Sequence, residues 1–179
     1  MTQPRNIVVY LEFGPTFAAR EGLRAAAAEA TLLNEIGRPE RFALVAAGTD
    51  RAPLDAATAA GLIAPADERI GEPVSVGQAR AAGPETLHVL AHVDVVPFNL
   101  EAVNGWLEAQ ADAARAEGAL QYEVWRQADR PNHFTVIQAW ADQDAWARHV
   151  ESAATRGFRA KLMTLKGALY DERLYRRVD

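Results

Sequence analysis

Three blocks of the sequence occur twice, in the same order, so the chain reads as two unequal copies of one unit. The pairs are 8–15 with 90–97, 38–42 with 130–134, and 67–70 with 171–174. The separation grows from 82 to 92 to 104 residues, which means that the first copy lacks two segments found in the second. A repeat of this length predicts two copies of one supersecondary unit, because each copy uses the same pattern of strands and helices.

The first copy has the shorter pattern. Asn6 begins a strand-like run that Gly14 and Pro15 end, and an Ala-, Leu- and Glu-rich segment then predicts a helix that Gly37 ends. The predicted elements are strand 6–13, helix 16–36, strand 42–47, short helix 53–60 and strand 69–76.

The second copy has the complete pattern. An apolar face at three- and four-residue spacing predicts its first helix, and alternation of apolar and polar residues predicts a hairpin after Gly118. The predicted elements are strand 86–96, helix 100–117, strands 120–124 and 134–137, a helix from Asp142 to about 154, a loop around Gly157, and strand 168–178.

This order, β-α-β-β-α-β, is the ferredoxin-like arrangement. The sequence therefore predicts an α+β protein with a reduced repeat at 1–76, a linker at 77–85 and a complete repeat at 86–179. Both helices of such a unit cover one sheet face, so the two repeats are expected to pack sheet to sheet as an α+β barrel. The alternative is that the C-terminal repeats of two chains pair in a homodimer, and the sequence does not decide between them.

Composition excludes several classes of function. A net charge of -5 without a long Lys/Arg run argues against a nucleic-acid partner. The chain has no cysteine, hence no disulfide and no thiolate metal site. No apolar run approaches the roughly 18 residues of a membrane span, so we expect a cytoplasmic protein with no membrane partner. Nucleotide-binding and serine-hydrolase motifs are also absent from the sequence.

The second copy resembles the antibiotic biosynthesis monooxygenase family of dimeric α+β barrels. The resemblance rests on segments 89–93, 117–124 and 134–140, and on a helix with Ala145 and His149; it extends over residues 86–175. It implies an apolar pocket between sheet and helices and, in catalytic members, cofactor-free oxygenation of phenols, quinols or anthrone-like aromatics.

The second copy also departs from the family pattern. Gln138 replaces a common glutamate, and the second histidine that usually follows the position of His149 is missing. The haem-degrading branch has an asparagine near Val93 and a tryptophan near His149, and neither is present, which argues against haem degradation. In the first copy, Gly48 and Ala57 occupy the positions of Trp140 and His149, so only the second copy is expected to hold a site.

An enzyme that uses oxygen without a cofactor needs a base, a few orienting hydrogen bonds and an apolar wall. His149 is the candidate base, because an imidazole exchanges protons near neutral pH. The candidate pocket residues are the large aromatics of the second copy: Trp106, Tyr122, Trp125, Trp140 and Trp146. The alternative is that these residues are core aromatics and that His149 is a hydrogen-bonded helix residue.

No metal site is expected. His88 and His92 share one strand face, but at roughly 3.3 Å per residue they stand about 13 Å apart, too far to bind one ion.

The sequence thus predicts a cofactor-independent monooxygenase-like protein whose partners are a small aromatic molecule and molecular oxygen. The alternative is a non-catalytic α+β barrel that binds a small ligand or serves in assembly. The substrate and the oligomeric state are not determined by the sequence.

Overall fold

A computed structural model describes residues 30–46 and 69–178 of the chain. These residues form an α+β structure with antiparallel strand pairing and three α-helices. The chain divides into two compact units, one containing Met1–Glu72 with Tyr175–Asp179 and the other containing Pro73–Leu174. The element labels below number the described strands and helices only.

The N-terminal unit contains a hairpin of β1 (Thr31–Glu35) and β2 (Phe42–Val45). β1 also pairs with the last residues of the C-terminal strand, where Leu33 lies opposite Arg177. The hairpin turn places Gly37 at φ 82°, a conformation that glycine adopts without strain. The Asn34 amide donates to the carbonyl of Arg41 at 2.9 Å, which joins the two arms of the hairpin.

The predicted helix 16–36 is therefore wrong at its C-terminal end, because 31–35 is a strand. Leu32 and Leu33 are 3% and 1% exposed, so both faces of this strand are buried, although its Leu and Glu residues also suit a helix. The predictions for strand 6–13, for residues 16–29 of that helix and for helix 53–60 lie outside the described residues.

The C-terminal unit has the element order predicted for the second copy. It contains β4 (Leu87–Asp94), β5 (Gln121–Gln127) and β6 (His133–Trp140), together with most of β3 (Gly71–Ser75) and of β7 (Leu169–Arg177), in the spatial order β7-β4-β6-β5-β3. A short 3₁₀ helix (Pro97–Asn99) leads into α1 (Leu100–Ala116); α2 (Gln143–Glu151) and α3 (Ala153–Met163) precede β7. The two-repeat arrangement remains a prediction, since most of the first copy is not described.

The helix predicted from Asp142 to about 154 and the loop around Gly157 are replaced by two helices. Asp142 caps α2, as predicted, by accepting from the Ala145 N–H at 2.7 Å. Ser152 then adopts an extended backbone and caps α3 through the Thr155 N–H. Gly157 lies inside α3, where its α-carbon faces open space, so the loop prediction gave this glycine too much weight.

One face of the C-terminal sheet packs against the helices. Alternate residues of β4, from Leu87 to Val93, are fully buried there with Val103 and Leu107 of α1. Polar residues on this apolar layer must find partners within it, and these residues build the site described below. None of the helices in the described parts of the chain is both long and apolar enough to cross a membrane.

Truncation of Leu107 to alanine is expected to lower the free energy of unfolding of the C-terminal unit by about 2–5 kcal/mol, because it leaves a cavity in a closed core. Urea unfolding followed by tryptophan fluorescence measures this unit, since all four tryptophans lie in it. Leu169→Ala, at a side chain that is 55% exposed, is the control and should stay within about 0.5 kcal/mol of the parent. Equal effects of the two substitutions would contradict the core assignment.

Candidate functional site

His149 lies in the last turn of α2, and only 4% of its surface is exposed. Its Nδ1 lies 2.6 Å from Oε2 of Glu117, the residue that follows α1. Because a carboxylate can only accept, Nδ1 carries the proton in this pair and Nε2 is left as an acceptor when the ring is neutral. Glu117 therefore fixes both the tautomer and the orientation of the imidazole.

Two aromatic rings of the sheet hold the other sides of His149. The Trp140 ring stacks on the imidazole with centroids 4.4 Å apart and an interplanar angle of 29°. Tyr122 meets it edge-on at 5.9 Å. Tyr122 lies opposite Gln138 in the β5–β6 register, and Trp140 is two residues further along β6, so strand alternation puts both rings on the helix-facing side.

The Nε2 edge of His149 faces two buried polar side chains. Thr155 Oγ1 lies 3.3 Å away and Gln110 Nε2 lies 3.4 Å away. The Gln110 amide donates to Thr155 Oγ1 at 2.8 Å, which leaves the threonine hydroxyl proton for the imidazole. These contacts connect Glu117, His149, Thr155 and Gln110, so the cluster joins side chains from α1 and its end, α2 and α3.

A second polar cluster lies on β7. Glu172 pairs with Arg159 of α3 and accepts from the Tyr170 hydroxyl at 3.1 Å and from the Gln138 amide at 3.4 Å. Gln138 in turn accepts from the Trp140 indole N–H at 3.0 Å. Because Trp140 stacks on His149, the two clusters meet at this indole.

Both phenols of the site remain protonated at neutral pH. Burial raises the pKa of Tyr122 well above its usual value, and the nearby Tyr170 and Glu172 act in the same direction. Burial and the Glu172 carboxylate likewise raise the pKa of Tyr170. Burial lowers the pKa of the Arg159 guanidinium, but the neighbouring Glu172 and Tyr170 raise it by more, so the pKa is raised overall. The site thus offers phenol donors and a permanent cation.

A cavity of about 310 Å³ opens beside this second cluster. It is lined by Arg159, Leu162, Met163, Ala168 and Tyr170. The guanidinium of Arg159 lies 5.4 Å from the centre of the Tyr170 ring, so a cation and an aromatic face meet at its wall. The volume is at the lower end of the range for small-molecule sites, and His149 does not line it.

The structure brings together three of the residues predicted for the site, namely His149, Trp140 and Tyr122. Trp106 and Trp146 are only partly buried and pack against the edge of the same core. Lys161 Nζ lies 5.7 Å from the centre of the Trp106 ring, and the buried Nε1 of Trp146 has no hydrogen-bond partner among the described residues.

Trp125 does not join the predicted site. It lies three residues after Tyr122 on β5, so its side chain points to the opposite sheet face, where its indole donates to Glu123 Oε2 at 3.1 Å. Side chains of a strand alternate between its two faces, so the three-residue spacing of Tyr122 and Trp125 was enough to place them on opposite faces of the sheet.

The sequence interpretation missed most of the polar partners in the site: Gln110, Glu117, Thr155, Arg159, Tyr170 and Glu172. Gln110 could have been identified from the sequence, because it lies on the apolar stripe of α1 between Leu107 and Ala114. A polar residue at such a position needs a buried partner. The others come from separate elements, and no spacing in the sequence joins them.

No group of three His, Asp or Glu side chains within residues 30–46 and 69–178 could hold a metal ion. His88 and His92 both lie buried on β4, on the sheet face opposite to the site.

Comparison with known proteins supports the sequence resemblance. Residues 86–161 match the family model described as antibiotic biosynthesis monooxygenase. The resemblance predicted from the sequence is thereby confirmed for this segment. None of the curated proteins compared with this chain matches it.

Several solved structures are similar to this protein in fold. A candidate monooxygenase from Lactobacillus acidophilus NCFM has a TM-score of 0.73 at 16% identity, over 97% of this chain and 94% of that one. One from Fusobacterium nucleatum has a TM-score of 0.74 at 11% identity, over 99% and 94% of the two chains. A protein described as an antibiotic biosynthesis monooxygenase aligns with only 52% of this chain but 99% of its own, with a TM-score of 0.50 and 20% identity. At these identities the likeness concerns the fold alone.

Alkaline titration tests the electrostatics of the site. Since the pKa of Tyr122 and Tyr170 is raised in the folded protein, both should stay protonated between about pH 9 and pH 11, where ordinary tyrosines ionise. Their contribution to stability is complete below the ordinary tyrosine pKa, and it is lost as the pH rises through the folded value. Phenolate absorbance over this interval should not change in Tyr122→Phe or Tyr170→Phe while the protein remains folded. Loss of one tyrosine's share of the signal in either variant would contradict the shift.

Proposed function

From the premise that residues 86–161 form an antibiotic biosynthesis monooxygenase domain, we propose that the C-terminal unit oxidises a small aromatic substrate with molecular oxygen. The substrate class is a quinol, phenol or anthrone-like molecule, the domain uses no cofactor, and His149 is the base. The observation that carries this proposal is the buried imidazole of His149, which stacks on the Trp140 ring and contacts the partly exposed carboxylate of Glu117.

Glu117 suits His149 to the role of a base. A carboxylate on Nδ1 directs the lone pair of the neutral ring to Nε2, the arrangement that also orients histidine in other acid–base sites. The contacts of Nε2 with Thr155 and Gln110, at 3.3 and 3.4 Å, are long for hydrogen bonds. A substrate hydroxyl that displaces one of them can form a shorter bond to Nε2, in keeping with the tightening of catalytic hydrogen bonds on substrate binding.

Tyr122 and Tyr170 do not compete for this role. Their raised pKa values keep both phenols neutral, so they donate hydrogen bonds to a developing phenolate or carbonyl oxygen instead of taking a proton. His149 is thus the group in this cluster that accepts the proton.

We place the substrate ring in the cavity between Arg159 and Tyr170, with its reacting hydroxyl directed toward Trp140 and His149. The cavity supplies apolar contact through Leu162, Met163 and Ala168. Arg159 supplies positive charge where a phenolate forms, although Glu172 offsets part of that charge.

The reaction then balances without a bound redox group. His149 takes the hydroxyl proton, and the electron-rich phenolate transfers one electron to oxygen. The resulting radical and superoxide combine to form a carbon–oxygen bond. The imidazolium returns its proton to the peroxide anion, and the resulting hydroperoxide loses water to leave a carbonyl. For a phenol, the substrate and one O₂ give a quinone and one water.

Oxygen consumption with a panel of quinols, phenols and anthrones tests this proposal. His149→Ala should lower the rate by about a hundredfold or more, since a positioned base contributes roughly 10²–10⁴. His133→Ala, at a partly exposed histidine paired with Asp94, is the matched control and should retain the parent rate. Absence of oxygen consumption with every compound, or an unchanged rate in His149→Ala, would overturn the enzyme proposal.

A second candidate function is binding of a small aromatic ligand without catalysis. The observation that favours it is the packing of His149, which is 4% exposed and does not line the cavity. In that case Glu117, at the edge of the core, only satisfies the hydrogen-bonding need of the buried imidazole.

Calorimetric titration with the same compounds under nitrogen separates the two functions. A binding protein should bind one of them in the cavity without any turnover in air. Affinity should then fall about tenfold or more in Leu162→Ser, because apolar burial drives such binding, and should not change in His149→Ala. If His149→Ala alone weakens binding, the substrate contacts the imidazole and the purely packed role of this residue is excluded.

A further inference from the structure

Three large apolar side chains point into solvent at one end of the C-terminal unit. Phe98, Met163 and Leu169 are 86%, 87% and 55% exposed. Single exposed apolar residues are ordinary, but these three belong to segments that pack together. The loop before α1 lies next to the turn between α3 and β7. If Gly167 carried a Cβ atom, that atom would lie 3.4 Å from Val96 Cγ1. We call Phe98, Met163 and Leu169 the apolar tip.

Positive charge is concentrated in the segment that contains Met163 and Leu169. Residues 155–170 contain Arg156, Arg159, Lys161 and Lys166 and no acidic residue, in a chain whose net charge is -5. Both lysines of the entire sequence lie here, one on either side of Met163. Glu172 neutralises Arg159, but Arg156 and Lys166 are exposed on the surface. This end of the unit is therefore basic and apolar at once.

We propose that the apolar tip docks the C-terminal unit on an anionic lipid surface. Exposed apolar side chains flanked by lysines are the combination that binds the headgroup layer: the apolar groups enter the boundary of the acyl chains, and each cation nearby attracts anionic lipid. Lysine also keeps its ammonium group in the headgroup layer while its alkyl stem lies along apolar material.

A second copy of the chain is a poorer occupant of this surface. Two tips that faced each other would bring Arg156, Lys161 and Lys166 of both copies together, and like charges oppose such contact. A lipid surface with negative headgroups instead complements the tip in both charge and polarity. The sequence alone predicted no membrane partner, because that expectation considered only segments long enough to span a bilayer.

The docking would also present the cavity to the lipid. Met163 belongs to the apolar tip and lines the cavity, and Ala168, which precedes Leu169, lines it as well. A lipophilic aromatic could then enter the cavity from the headgroup layer without crossing water. This last step rests on the proposed function, whereas lipid binding itself does not.

Sedimentation of the full chain with vesicles tests the docking, with no substrate present. The protein should sediment with vesicles of phosphatidylcholine and phosphatidylglycerol, but not with phosphatidylcholine alone, and added salt should weaken the binding. The combined substitution Phe98→Ser, Met163→Ser and Leu169→Ser should weaken binding about tenfold or more, because it removes the buried apolar area on which such binding depends. The pair Arg156→Glu and Lys166→Glu should weaken it by about the same factor, since each nearby cation contributes.

Matched controls use similar residues elsewhere. Ile36→Ser with Val76→Ser replaces apolar side chains that are 43% and 41% exposed, and Arg130→Glu reverses an exposed charge outside the tip. The controls should bind as the parent does, and tryptophan fluorescence should report the same urea midpoint for every variant.

Several results would overturn the docking proposal. It fails if the parent does not sediment with anionic vesicles, or if the controls lose binding equally. If the serine variant instead changes the mass of the protein in light scattering without lipid, the tip is a self-association surface. If only the charge reversals matter, the surface suits an acidic partner and not a lipid. Because no turnover is measured, failure here leaves the oxygenation proposal unaffected, and the reverse also holds.

Discussion

The hydrogen bond between His149 and Glu117 is the interaction on which the organisation of the site depends. A buried imidazole is costly unless both nitrogens have partners, and here one carboxylate occupies Nδ1 at 2.6 Å. That bond ties the end of α1 to the last turn of α2. It also sets the plane of the ring, which allows Trp140 to stack on it and leaves Nε2 to Thr155 and Gln110.

A second carboxylate has the corresponding role on β7. Glu172 receives the Tyr170 hydroxyl, the Gln138 amide and the Arg159 guanidinium, so one residue satisfies donors from two strands and a helix. The Gln138 side chain contacts both Glu172 and the Trp140 indole, and Trp140 stacks on His149, the partner of Glu117. The helix–sheet layer is therefore an apolar core with two polar clusters that meet at the Trp140 indole, and the cavity opens beside the cluster of Arg159, Tyr170 and Glu172.

Much of the fold followed from local patterns. The apolar stripe of α1, the alternation in β5 and the Asp142 cap each report a local preference that tertiary packing also satisfies, and these elements lie where they were predicted. The prediction of a helix over 16–36 was wrong at its C-terminal end. Leu and Glu favour a helix locally, but residues 31–35 pair with β2 and β7 as a strand. The loop predicted around Gly157 was wrong for the opposite reason. Glycine disfavours a helix locally, but the Ser152 cap and the buried Phe158 and Leu162 stabilise α3 on both sides of it.

The sequence by itself determined most of the element order of the C-terminal unit and the resemblance of residues 86–161 to a monooxygenase family, and it named His149, Trp140 and Tyr122 among the candidate site residues. These depend on periodicity and on short motifs, which are properties of neighbouring residues. Only the tertiary structure decided which side chains complete the site. Gln110 and Glu117 reach it from α1 and its end, Thr155 from α3 and Glu172 from β7, whereas Trp125 lies outside it because a strand turns successive side chains to opposite faces. Contacts between distant segments are set by packing and by the need to satisfy buried polar groups, and no local pattern encodes them.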